Sequence, residues 1–276
     1  MPWNFPLLMA IWKIVPALAC GCTVVLKPAD ETPLTALRLG QLCLEAGIAP
    51  GVVNVVTGSG AQAGAALAAH SGIDKLAFTG STQVGKLIGH AAVDNMTRFS
   101  LELGGKSPVI VLDDCDPQTA AAGAAGAIFF NQGQVCTAGS RLYIQRRIYN
   151  EVLERLVAIA GSRRSIGPGL DEQAQINPLI SAKQQKRVLQ MVQRGVEEGA
   201  RLLCGGVAHG ERGFYVRPTV VADVHADQQL VREEIFGPVV VPRRSTPWTK
   251  WWAWPMTTST GWGRASGPTT WGGSCS

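Results

Sequence analysis

Cys136 stands in a loop whose residue types suit nucleophilic chemistry. Gly133 and Gly139 let the backbone pass close to this cysteine, because glycine has no side chain in the way. Three amide side chains precede it, those of Asn131, Gln132 and Gln134. Amides carry N–H donors, so the loop could hold an attacking sulfur beside the oxyanion formed when a thiolate adds to a carbonyl. The alternative is a structural cysteine that packs as a small apolar residue.

Two further residues have the chemistry that such a nucleophile needs. Glu102 follows an apolar run typical of a strand and precedes Gly104-Gly105-Lys106, so its carboxylate is predicted at a strand end, where catalytic groups gather in α/β folds. A partly buried carboxylate there can act as a general base, and the alternative is a capping or salt-bridging role. Asn4 lies between Trp3 and Phe5, and its amide can donate to an oxyanion.

Glycine and hydroxyl residues at two places suit phosphate binding. Gly80, Ser81 and Thr82 follow a predicted strand and begin a predicted helix, whose first N–H groups can receive an anion. The alternative there is an ordinary capped helix. Gly58 opens a Gly-Ser-Gly run that resembles a dinucleotide fingerprint, although its last glycine, Gly64, comes one residue too late.

Composition indicates a globular protein and argues against several classes. Of the 276 residues 46% are hydrophobic and 16% charged, and a net charge of +5 without any block of like charges does not favour nucleic acid as a partner. The four histidines are scattered singly, so no metal site is predicted. The apolar stretch 5–26 is interrupted by Lys13, Pro16 and Gly21, which favours a buried helix over a signal peptide or membrane span. Seven irregularly spaced cysteines and the absence of a signal predict a reducing, cytoplasmic location.

Apolar periodicity predicts alternating strands and helices, which is typical of parallel sheets that bind nucleotides at the strand carboxyl ends. The first part is predicted to have strands at 23–26, 52–56, 75–78 and 98–103, and helices at 33–46, 61–69 and 82–93. The second part is predicted to have strands at 108–112, 141–145, 201–203 and 216–220, and helices at 117–130, 149–160, 181–199 and 228–235. The predicted fold class is α/β, with a partial Rossmann-like parallel-sheet cofactor domain at 1–103 and a second α/β catalytic domain at 104–242.

Six motifs, in order along the chain, resemble those of the NAD(P)-dependent aldehyde dehydrogenases. They are Pro2–Pro6, Lys27–Asp30 with Thr32-Pro33, Phe78–Thr82, Leu101–Lys106, the Cys136 loop and Glu233–Pro238. The resemblance covers residues 1 to about 242. Within the family, the Asn-Gln-Gly-Gln-Val-Cys loop and the run 175–179 are most similar to the phenylacetaldehyde dehydrogenase branch.

The resemblance implies NAD-dependent oxidation of an aldehyde, a small-molecule substrate, to a carboxylic acid. Cys136 would form the thiohemiacetal and thioester, Asn4 would hold the oxyanion, and Glu102 would activate the hydrolytic water. Cofactor binding is implied for Trp3, Lys27, Asp30, Gly58, Gly80, Ser81, Glu234 and Phe236. At Asp30 a carboxylate favours NAD over NADP, because it repels a 2′-phosphate and accepts hydrogen bonds from ribose hydroxyls.

Residues 243–276 differ in character and are predicted to form an aberrant, disordered tail. Six of the eight tryptophans fall there, among Thr, Pro, Gly and Ser and without any acidic residue. The family usually continues with a run such as Asp-Thr-Leu-Asp-Glu-Val-Val. GC-rich codons for that run, read one base out of frame, give Thr-Pro-Trp-Thr-Lys-Trp-Trp, the run 246–252. We therefore expect a frameshift near residue 243.

Members of the family are longer at both ends. The chain is accordingly expected to be truncated at its start and to lack the C-terminal segment through which full-length members form homo-oligomers. An inactive fold fragment, or a module that keeps only part of the nucleotide site, is therefore the alternative to an active enzyme. Neither a nucleic acid nor a membrane is expected as a partner.

Overall fold

The computed structural model describes residues 1–162 and 165–245, so most of the predicted tail, 246–276, lies outside the described residues. The chain divides into two compact units: unit 1 runs from Met1 to Leu103, and unit 2 begins at Gly104. None of the helices in the described ranges combines the length and apolar character that crossing a membrane requires.

Unit 1 alternates helices with short strands. Its helices are α1 (Pro6–Ala19), α2 (Leu34–Glu45), α3 (Ala65–Ala68) and α4 (Thr82–Asp94). Its strands are β1 (Val24–Leu26), β2 (Val53–Val55), β3 (Lys75–Gly80) and β4 (Arg98–Leu103), and one π-helical turn, Gly60–Gly64, leads into α3. β1 pairs in parallel with β2, and β3 pairs in parallel with β4. The parallel pattern predicted for this part is thus present as two two-stranded ladders.

The helices of unit 1 begin and end where local chemistry allows. Pro6 occupies the first turn of α1, where the N–H that proline lacks has no helical partner in any case. One helical turn apart on α1, Ala10 and Ile14 are buried against Leu26 of β1. Gly47 follows α2 with a φ of 86°, a left-handed conformation that suits glycine at a helix end.

Unit 2 is built on one five-stranded sheet. Its strands are β5 (Pro108–Val111), β6 (Arg141–Gln145), β7 (Arg201–Cys204), β8 (Thr219–Ala222) and β9 (Val239–Ser245). Its helices are α5 (Pro117–Phe129), α6 (Tyr149–Ser162), α7 (Ala182–Glu197) and α8 (Gln229–Arg232). The strand order is β5-β6-β9-β8-β7; the first three pairings are parallel, and β7 runs antiparallel to β8. The predicted α/β class is confirmed.

Successive residues of the central strands pack against helices on opposite faces of this sheet. Val220 and Val240 belong to a core cluster with α5 and α6. Val221, Val239 and Val241 belong to a second cluster with α7 and α8. Because side chains alternate between the two faces of a strand, helices cover both sides of the sheet.

Strand β9 corrects two expectations. β9 is not among the strands predicted from the sequence, yet it lies at the centre of the sheet, and residues 243–245, which were assigned to the tail, pair with β6. Pro242 is tolerated because successive residues of a strand direct their backbone nitrogens toward opposite neighbouring strands. The Val241 N–H donates to the Ser140 carbonyl on the β6 side at 2.9 Å, so the Pro242 nitrogen faces β8, whose pairing ends at Val240.

Candidate active site

A left-handed turn carries the chain from α5 toward Cys136. Asn131, Gln132 and Gly133 have φ angles of 46°, 55° and 70° in succession. Non-glycine residues seldom adopt this left-handed conformation. Two of them in succession imply that surrounding contacts hold the backbone there. The turn ends the helix abruptly and sends the chain back toward β6.

Side-chain amides fix this turn through backbone atoms. Asn131 Nδ2 donates to the Gln134 carbonyl, and Gln134 Nε2 donates to the Asn131 carbonyl, each at 3.3 Å. Gln134 Oε1 also accepts from the Ile180 N–H at 3.0 Å. The side chains of Asn131 and Gln134 therefore hold the turn in shape. The sequence-based hypothesis had considered them only as donors to an oxyanion.

Cys136 is partly buried at the second position of the next turn. The Ala138 N–H donates to the Val135 carbonyl at 3.0 Å and closes this turn around Cys136. The glycines on either side stand where a side chain would not fit. A Cβ on Gly133 would lie 2.0 Å from the Gly237 carbonyl oxygen, and a Cβ on Gly139 would lie 2.4 Å from Val109 Cγ2. The backbone of Gly237 thus excludes a side chain at position 133, and the side chain of Val109 excludes one at position 139.

Glu102 lies near the carboxyl end of β4, as predicted, but it is exposed rather than partly buried; it pairs in register with Thr79 of β3. Lys13 of α1 donates from Nζ to Thr79 Oγ1 at 2.7 Å. Burial lowers the pKa of Lys13, and the negative charge of Glu102 opposes that shift. Lys13 was not among the predicted site residues, although a lysine within an apolar helix is a signal that could have found it.

The exposed Ser81 caps α4 where β3 ends. Its hydroxyl accepts a hydrogen bond from the Val84 N–H at 3.3 Å. The preceding Gly80 lies over the ring of Phe78, so a Cβ there would be 2.6 Å from Phe78 Cζ. A helix start of this kind presents N–H groups and a positive dipole end, which suits an anion.

Gly58 lies in a second exposed turn of unit 1. Its φ of 140° is outside the range that side-chain-bearing residues readily adopt, and the adjacent Ser59 accepts from the Gln62 N–H at 3.2 Å. The π-helical turn that follows is only five residues long. The structure therefore explains Gly58 by backbone geometry.

Lys27 and Asp30 form an ion pair just beyond β1. Lys27 Nζ donates to Asp30 Oδ1 at 2.6 Å. The lysine side chain is 13% exposed and the aspartate side chain 50% exposed, so a ligand can reach the carboxylate from solvent. Trp3 and Asn4 lie in the bend directly before α1 and are partly buried.

Glu234 and Phe236 occupy a turn after α8. The helix ends at Arg232, because Glu233 is extended, with φ −105° and ψ 150°. Glu234 Oε1 accepts from the Gly105 N–H at 3.3 Å, and a Cβ on Gly104 would be 2.1 Å from Glu234 Oε2. Burial raises the pKa of Glu234, while the Gly105 N–H and the charges of Arg187 and Lys106 oppose the rise.

The aldehyde dehydrogenase family model matches residues 1–245. The chain belongs to the aldehyde dehydrogenase family. The family membership predicted from the six motifs is therefore confirmed.

Relatives within the family are similar over most of this chain. Phenylacetaldehyde dehydrogenase of Pseudomonas fluorescens is 57% identical over 243 residues, which make up 87% of this chain and 48% of that protein. Retinal dehydrogenase 2 of Mus musculus is 54% identical over 240 residues, 87% of this chain and 46% of that protein. A solved structure, the NAD+ complex of aldehyde dehydrogenase from Bacillus cereus, has a TM-score of 0.89 and 47% identity, and the match covers 91% of this chain and 51% of that one. The chain spans about half the length of the curated relatives it matches.

The residues implied by the aldehyde dehydrogenase resemblance fall in both units. Unit 1 contains Trp3, Asn4, Lys27, Asp30, Gly58, Gly80, Ser81 and Glu102. Unit 2 contains Cys136, Glu234 and Phe236. Within unit 1, Lys27 contacts Asp30, and within unit 2 the turn after Phe236 packs on the loop that leads to Cys136.

Proposed function

We propose that this chain carries the chemistry of NAD-dependent aldehyde oxidation, with Cys136 as the nucleophile. The observation that carries the proposal is the setting of Cys136, a partly exposed thiol held in a short turn between two closely packed glycines. A thiolate so fixed can attack a carbonyl carbon without first ordering its own loop.

The proposed reaction begins when the Cys136 thiolate adds to the aldehyde carbon. The Asn4 amide and the Cys136 backbone N–H donate to the resulting oxyanion. NAD, when bound, would supply the hydride acceptor, and loss of a hydride from this carbon would leave it attached to Cys136 Sγ as a thioester. Glu102 then takes a proton from water, the water attacks the thioester, and the carboxylic acid leaves as Cys136 recovers its thiolate.

The donor groups in each unit fit the cofactor that the family implies. In unit 1 the start of α4 at Ser81 offers N–H groups to the pyrophosphate, and Lys27 and Asp30 offer a donor and an acceptor to ribose hydroxyls. In unit 2 the Glu234 carboxylate has one oxygen on the Gly105 N–H, and it can accept from a second ribose. Trp3, Gly58, Gly80 and Phe236 complete the proposed contacts.

The cofactor preference and the substrate class are finer parts of the proposal. Asp30 is half-exposed, and its negative charge opposes the 2′-phosphate of NADP, so we propose NAD. The phenylacetaldehyde dehydrogenase relative at 57% identity supports an aryl-substituted aldehyde as the substrate. The described cysteines form no disulfide, which supports a reducing, cytoplasmic location.

Replacement of Cys136 tests the proposal directly. The purified 276-residue chain is mixed with NAD and phenylacetaldehyde, and NADH is followed by its absorbance. We expect NADH formation to fall by at least roughly a thousandfold in Cys136→Ala, because the nucleophile is lost. Cys22→Ala, which removes an exposed thiol of unit 1, is the matched control and should react like the original chain. If the folded, soluble chain forms no NADH with any aldehyde tried, the inactive-fragment alternative is correct.

A further inference from the structure

We infer that Gln184 is a positioning residue that holds the Glu234–Phe236 turn in the shape the cofactor needs. This inference rests on the proposed function, in which Glu234 and Phe236 contact NAD. Its basis is a set of hydrogen bonds between α7 and the turn, all of them within unit 2.

The turn has a conformation that needs outside support. Phe236 has a φ of 58°, in the left-handed region that disfavours a bulky side chain. Such a backbone persists only where its surroundings over-determine it. This φ helps to set the relative orientation of two carbonyl groups, that of Ile235 before it and that of Phe236 after it.

Gln184 fixes both of those carbonyls. Its Nε2 donates to the Ile235 carbonyl at 3.2 Å and to the Phe236 carbonyl at 2.8 Å. Gln184 is itself fixed at the start of α7, because its backbone N–H donates to the Ser181 side chain at 3.2 Å. One amide group therefore bridges a capped helix and a strained turn.

Two further residues on the same face of α7 also contact the turn. Arg187, three residues on, donates to the Glu234 carbonyl at 2.8 Å. Val188, four residues on, is fully buried and would lie 2.5 Å from a Cβ on Gly237. Positions three and four residues apart share one helical face, so α7 supports the whole turn from Glu234 to Gly237.

The supported turn also meets the loop that leads to the nucleophile. The Gly237 carbonyl oxygen would be only 2.0 Å from a Cβ placed on Gly133, so the two backbones are in close contact. Loss of the Gln184 contact would therefore loosen the proposed cofactor carboxylate and one wall of the Cys136 loop together. Gln184 contacts the backbone of Phe236 directly.

The test uses Gln184→Glu, with Gln185→Glu as the matched control. A glutamate at position 184 keeps the side-chain length and can form a capping box with Ser181, but it cannot donate to the two carbonyls. Gln185 donates to the Tyr215 carbonyl at 2.9 Å, so its replacement removes the same kind of bond away from the turn. Gln184→Lys restores an N–H donor.

Two measurements on the whole chain decide the inference. Hydrogen–deuterium exchange without cofactor should be faster over residues 230–241 in Gln184→Glu and unchanged there in Gln185→Glu. The Kd for NADH, followed by fluorescence, should rise about tenfold in Gln184→Glu, stay within about twofold in Gln185→Glu, and recover in part in Gln184→Lys. Unchanged exchange over 230–241 in Gln184→Glu overturns the inference whether or not NADH binds. Faster exchange with an unchanged Kd also overturns it. If the unmodified chain binds no NADH, the proposed function is refuted, and the exchange measurement alone then tests whether Gln184 holds the turn.

Discussion

Burial changes the ionisation of two neighbouring groups in unit 2. It raises the pKa of Glu234, and it lowers the pKa of Lys106 from 10.5 to about 7, with the positive charge of Arg141 as the next cause. Both shifts favour the uncharged form, because a buried charge loses its hydration. Lys106 is fully buried, and within the described residues its Nζ has no hydrogen-bond partner. Its ammonium group therefore destabilises the fold near neutral pH.

Lys106 predicts a measurable dependence of stability on pH. Between pH 7 and 10.5 the unfolded chain binds more protons at this residue than the folded chain does, so the free energy of unfolding should increase with pH across that window. Lys106→Met should remove this slope and raise the free energy of unfolding at pH 7 by about 1–4 kcal/mol. Urea unfolding at several pH values measures both quantities. A slope that is the same with and without Lys106 would refute the assignment.

Residue types suggested a nucleophile, a base and an oxyanion donor, and the family resemblance implied the proposed chemistry, but neither predicted the contacts that support it. Cys136 and Glu102 carry local signals, because each follows or lies in a run of distinctive residues. Gln184 carries none, since its partners Ile235 and Phe236 are 51 and 52 residues away and are contacted through their backbone. Such a contact depends on how α7 and the turn pack, which no local pattern encodes.

At the scale of elements, the strands with strong apolar runs and clear ends were predicted best. β4 and β6 have the predicted bounds, 98–103 and 141–145. The predicted helix 228–235 is observed only as α8, Gln229–Arg232, because Glu233 is extended and the following turn is held by α7. β9 was missed because Val239–Val241 is short and is followed by Pro242, which is acceptable only at the place this strand takes in the sheet.

The contact between the two turns of unit 2 predicts the effect of one added methyl group. Gly133→Ala should lower the free energy of unfolding by roughly 2–4 kcal/mol, because the methyl would meet the Gly237 carbonyl and because φ is 70°. Gly123→Ala is the control: Gly123 lies exposed on α5 with nothing within 4 Å of its missing Cβ, so this change should stabilise the helix by about 1 kcal/mol. Equal effects of the two substitutions on urea unfolding would contradict the packing described.

For the whole molecule, the proposed reaction needs residues of both units. Cys136 belongs to unit 2, and Asn4 and Glu102 belong to unit 1. The central claim is that Cys136 and Glu102 act in sequence on one aldehyde, the first forming the thioester and the second hydrolysing it.

Mass spectrometry of the Glu102→Gln chain tests this claim most directly. After mixing with NAD and phenylacetaldehyde and rapid acid quenching, the peptide that contains Cys136 should carry a phenylacetyl group, with about one NADH formed per acylated chain. The thioester should accumulate because a glutamine cannot take the proton from the hydrolytic water. The same sample without NAD should carry no acyl group. Acylation of another cysteine such as Cys20 or Cys22, or NADH formation without any acyl group on Cys136, would contradict the account.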